Sequence, residues 1–162
     1  MARIKKLPDD IKQNCISLVR GYGRRKKEYA QKRAELMANS SDKVVMIRDK
    51  EYPDDDRKAE GVILPGSHNA SRTTENIAMR VVGLEDHMDT RRMRAVEYAE
   101  GRIGLDLPEE QRRALSRAIF TSCTKGRQCP FERLHVEGME RSCFYDRRMR
   151  FLIDIAKYMD MI

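Results

Sequence analysis

Apolar residues recur along this chain at helical spacing, in stretches separated by segments rich in helix breakers. Between 8 and 38 they fall at Ile11, Cys15, Leu18, Tyr22, Tyr29 and Leu36, in steps of four, three, four and then seven. That spacing predicts one helix with a heptad-like seam. Arg25 and Lys32 occupy the two seam positions left over, and Gly21 and Gly23 weaken the middle. Pro8 and Asp9 stand where a first turn begins, Asp9 placed to accept from exposed amides. A second long helix is expected from 74 to about 102, entered through Ser71, Thr73 and Thr74, with Ile77, Val81, Leu84, Met88, Ala95 and Tyr98 on its seam. Two such helices pack antiparallel as a hairpin or build a dimer, and spacing does not choose between them.

The stretch between them breaks the pattern. Asn39-Ser40-Ser41-Asp42 is expected to end the first helix, and Val44-Val45-Met46-Ile47 reads as a short strand or docking segment. Pro53, Asp54, Asp55, Asp56, Gly61, Pro65 and Gly66 then mark a connector. Three adjacent carboxylates seldom converge on one ion without a scaffold, so they read as loop. After Gly101 and Gly104, Leu105-Asp106-Leu107-Pro108 forms a turn. Pro108 followed by Glu109 and Glu110 then starts a helix over 109–124, burying Leu115, Ala118 and Ile119 and stopped by Lys125-Gly126-Arg127. The domain reading is a basic helix over 1–38, a flexible linker over 39–70, a central helix over 71–104 and a C-terminal head over 105–162. The fold class expected is all-α.

Composition sharpens this. Of 162 residues, 36% are charged and only 6% aromatic, with ten Met and no Trp, which suits adaptable helix packing more than a sheet. No apolar run approaches the length of a membrane span. The first ten residues hold no apolar stretch and do not read as a secretory signal. The expected setting is the cytoplasm. Net charge is +7, concentrated at the two ends: +7 over 1–40 and +3 over 108–162 around a slightly acidic middle. A basic balance of this kind leans towards nucleic acid.

Candidate chemistry is sparse outside the C-terminal region. Cys123, Cys129, His135 and Cys143 lack the closely spaced Cys pair that opens zinc modules, and read as small buried side chains. His68, His87 and His135 have no Ser, Cys or Asp partner at a catalytic spacing, and no Gly-rich phosphate loop is present. Neither an enzyme nor a cofactor is expected. The basic run Arg24-Arg25-Lys26-Lys27 reads as a solvated face more than a phosphate contact.

The last 38 residues are the informative ones. Pro130 to Val136 reads as a short helix, Glu137-Gly138-Met139 as a tight turn and Arg141 to Met159 as a longer helix. Gly138 suits a backbone conformation closed to most residues, and Met139 would pin the turn to the core. Phe144, Phe151, Leu152 and Ile155 would hold the second helix against its neighbours. Its first exposed residues would then enter a DNA major groove. The candidate DNA contacts are Arg141, Ser142 and Tyr145, with Arg147, Arg148 and Arg150 as phosphate contacts.

The run Arg141-Ser142-Cys143-Phe144-Tyr145-Asp146-Arg147-Arg148, with Phe151-Leu152 after it, resembles a helix of the RinA/ArpU-like late-gene regulators of Gram-positive phages and prophages. Ser71-Arg72-Thr73-Thr74-Glu75-Asn76-Ile77-Ala78 is similar to the entry of their central helix. Pro108-Glu109-Glu110-Gln111-Arg112-Arg113-Ala114-Leu115 is similar to the opening of their C-terminal unit, itself like the promoter-reading region four of sigma factors. The resemblance implies a helix-turn-helix transcriptional regulator, an activator of phage or prophage late genes. Double-stranded DNA is its partner, and the N-terminal helices dimerise or contact RNA polymerase. The alternative is a small-terminase-like DNA-packaging protein with oligomerising helices.

Overall fold

The computed structural model describes residues 7–48, 66–134 and 136–162, with side chains for 7–38, 75–134 and 136–162. The described residues form α1 (Asp9–Arg20), α2 (Tyr22–Arg48), α3 (Gly66–Asp86), α4 (Met88–Gly101), α5 (Glu109–Lys125) and α6 (Arg141–Tyr158), with no strand among them. The fold is all-α.

Helix α1 starts after Pro8 with Asp9 and Asp10 in its first turn and Arg20 in its last, each acting favourably on the helix dipole. Asp9 makes no capping hydrogen bond; the Pro8 carbonyl accepts from Lys12 N at 2.9 Å instead. The single helix expected over 8–38 is interrupted at Gly21 and runs on to Arg48. The Arg25 guanidinium explains the interruption. It is buried, folds back across the break and donates to the Leu18 carbonyl. A Cβ at Gly21 would stand 2.6 Å from Arg25 Nη1, so the glycine makes room for the arginine. Arg25, the apparent flaw in the seam, thus serves a carbonyl near the end of α1.

The expected linker over 39–70 is helical at both margins, because α2 extends through Val44-Val45-Met46-Ile47 and α3 begins at Gly66. Pro53, the three Asp, Gly61 and Pro65 lie outside the described residues. The helix expected from 74 to 102 is two helices, broken at His87, whose N–H reaches back only three residues to the Leu84 carbonyl at 3.4 Å. Helix α5 keeps its expected bounds within a residue, buries Leu115, Ala118 and Ile119, and adds Ser122 and Cys123.

The chain divides into two units, one of residues up to Lys26 with Met88–Ile162, the other Lys27–His87. In the first, both ends of the chain build one core. Cys15, Ile16, Leu18 and Val19 of α1 meet Ala95, Val96 and Ala99 of α4, Leu115, Ala118, Ile119 and Cys123 of α5, and Phe144, Phe151, Leu152, Ile155 and Ala156 of α6. Phe120 bridges Tyr22 and Phe151 at ring separations of 5.9 and 5.6 Å. Residues 105–162 are therefore not a separate head: α1 and α4 complete their core. In the second unit the Tyr29 hydroxyl donates to the Glu85 carboxylate, tying α2 to α3.

Candidate nucleic-acid interface

The segment from α5 to α6 sets up the candidate reading helix. Gly126, at φ 55°, ends α5. Residues 126–140 then hold two single turns of 3-10 helix, Gly126–Gln128 and Phe131–Arg133, where a two-turn helix over 130–136 was expected. The second turn closes through Arg133 N to the Pro130 carbonyl (3.0 Å) and Leu134 N to the Phe131 carbonyl (2.9 Å). The Phe131 ring packs on Phe144 at 5.3 Å. Arg133 stays exposed, and Leu134 and Val136 are half-buried against the core. His135 lies outside the described residues.

Gly138 takes φ 70°, the left-handed conformation that its place in the turn demands. Met139 packs half-buried on the core, and Glu140 is extended, its carbonyl accepting from Phe144 N at 3.0 Å. Helix α6 then buries Phe144, Phe151, Leu152, Ile155 and Ala156 along one stripe. That stripe decides where every candidate contact goes.

Arg141, Ser142, Tyr145 and Arg150 face solvent. Arg141 sits 3.4 Å from Glu132 and over the Tyr145 ring, 5.9 Å from its centroid. An exposed pair of this kind is weak and easily exchanged for a phosphate or a base edge. Arg147 and Arg148 turn inward. Arg147 grips Asp106 with both terminal nitrogens, at 2.8 and 2.6 Å, its side chain only 20% exposed. This bidentate bond holds the Asp106 carboxyl at about 2, well under its ordinary value, and raises the Arg147 guanidinium. Arg148 is half-buried beside the Cys123 thiol, its Nε without a hydrogen-bond partner among the described residues. Of the six candidates, four face solvent, Arg141 among them paired with Glu132, and two are engaged within the protein.

Two residues near the site escaped the sequence reading. Asp106 reads in the sequence only as part of a turn, and it lies 41 positions from the arginine it clamps. Arg102, on the loop after α4, reaches Asp154 of α6 at 3.3 Å. Together with Arg147 and Arg150 these groups line a recess of about 330 Å³ between that loop and α6. Local pattern carries no signal for pairs so distant in sequence. No family model, curated protein or solved structure matches this chain.

Proposed function

We propose that this protein binds double-stranded DNA through the leading end of α6. What supports the reading is one arrangement: a left-handed glycine, Gly138, turns the chain into a helix whose buried stripe leaves Arg141, Ser142 and Tyr145 together in solvent. Arg and Ser read base edges in a major groove, and Tyr donates to phosphate or base. Arg150, two turns further on, adds a contact to the backbone. Arg147 and Arg148 act differently from the first expectation. Arg147 fixes α6 to the loop carrying Asp106, and Arg148 lies against α5, so both set the angle at which the leading end is offered.

The resemblance to phage late-gene regulators makes the DNA a promoter and the protein an activator, with RNA polymerase or a second copy of the chain as further partners. Selection of bound fragments from a pool of random duplexes tests the reading. The expected outcome is one enriched sequence. Arg141→Ala then weakens binding to it by about 1–3 kcal/mol and relaxes the preference at one position. No enrichment, together with affinity for Arg141→Ala equal to that of the parent, would overturn it.

A further inference from the structure

Two stretches of the sequence are free of carboxylates, 11–27 and 111–131, and they carry six and five basic residues respectively. The fold packs α1, from the first, against α5, from the second. Their C-terminal ends meet at Cys123. Arg20 donates through Nε to the Cys123 carbonyl at 3.3 Å, with Nη2 lying 3.9 Å from where a Gly126 Cβ would be. Arg148 reaches the same residue from α6, at its thiol. Lys125 and Arg127 follow directly in the chain and are exposed.

Two cations thus reach Cys123 and two more follow it in the chain, and among the described residues none of the four is ion-paired with a carboxylate. The negative ends of α1 and α5 offset part of the repulsion between them. They do not account for the half-buried Arg148, whose desolvation is expensive without an opposite charge. Neither of the packed segments carries an acid.

We infer that this end of the bundle, where Arg20, Lys125 and Arg127 are exposed around the half-buried Arg148, is a contact surface for the phosphate backbone of duplex DNA. This rests on the reading of α6 given above and names a second surface for the same partner. The patch would supply affinity without sequence preference, and the tip would supply the preference.

The test is the salt dependence of binding to a short duplex of random sequence, for the full chain and for Lys125→Gln/Arg127→Gln. Both residues are exposed, so the fold is retained. The expected result is weaker binding by the double variant to every duplex alike, with the slope of log K against log salt reduced by about 2. A parent that binds the duplex with a slope the double variant leaves unchanged would overturn the patch and leave the α6 reading standing. A parent that binds no duplex at any salt concentration overturns both. Binding of polyglutamate weakened by the substitutions, with duplex binding unaffected, would assign the surface to an acidic polypeptide and also defeat the proposal.

Discussion

Every fully buried side chain described in this protein belongs to the unit of α1, α4, α5 and α6; the described residues between Lys27 and His87 contribute none. Yet the spacing of apolar positions is as regular in α3, at Ile77, Val81 and Leu84, as in α6. The difference lies in how many neighbours each stripe meets. The α6 stripe is enclosed by α1 and α4, with Phe120 of α5 and Phe131 closing its flanks. Ile77, Val81 and Leu84 remain half-buried, and Met79 and Val82 on the same helix are 64% and 57% exposed. Periodicity identifies the inward face of a helix; burial depends on what else the topology brings to that face.

The largest effect expected from this contrast is on stability. Phe144→Ala removes a ring that is wholly buried and in contact with Phe131, and should cost about 3–5 kcal/mol in urea unfolding. Ile77→Ala, at a half-buried position of α3, should cost about 1 kcal/mol. Equal losses would break the contrast, since they would require a closed core around α3.

The next effect concerns the break between α1 and α2. Gly21→Ala forces the Arg25 guanidinium off the Leu18 carbonyl, losing about 1.5–3 kcal/mol for a charged hydrogen bond against about 1 kcal/mol of helix propensity gained. The substitution should therefore destabilise the parent and stabilise an Arg25→Ala background. Chemical denaturation of the four proteins reads that change of sign; the same sign in both backgrounds would remove Arg25 from the account.

A smaller effect belongs to the clamp between the α4–α5 loop and α6. Arg147 lowers the Asp106 carboxyl from 3.8 to about 2. A carboxylate whose folded value is depressed adds stability above its unfolded value, and that stability is lost as the pH falls through the folded one. The parent should thus exceed Asp106→Asn in stability above about pH 4, with the gap closing towards pH 2. Thermal unfolding across that range checks it, and a gap independent of pH would mean that the ion pair contributes nothing. The smallest effect is one of rate. Burial pushes the Cys15 thiol up to about 11 and raises that of Cys123, while Cys129 and Cys143 are partly exposed. Mass spectrometry of the native protein after brief thiol alkylation should find label on Cys129 and Cys143 before either buried thiol.

Much of this fold was legible in local pattern. Pro108 with Glu109 and Glu110 marked the start of α5, Gly126 its end, and Gly138 with Met139 the turn before α6, because each depends on residues adjacent in sequence. The inward stripe of α6 was read correctly at Phe144, Phe151, Leu152 and Ile155. What escaped the sequence were contacts closed over long separations. Arg147 has the composition of a phosphate contact and is taken instead by Asp106, and Arg148 is drawn to Cys123. Arg25 looked like a flaw in a seam because the carbonyl it serves becomes available only once the helix breaks at Gly21.

The most direct test concerns how α6 is held. Its buried stripe is covered by residues from the opposite end of the chain, Cys15, Ile16, Leu18 and Val19, together with Ala95, Val96 and Ala99 of α4. Thermal unfolding of a fragment spanning 105–162, followed by circular dichroism, isolates that dependence. The expected result is a fragment with no cooperative transition, in contrast to the full chain. A sharp transition in the fragment at the temperature of the full chain would contradict a core shared between the two ends.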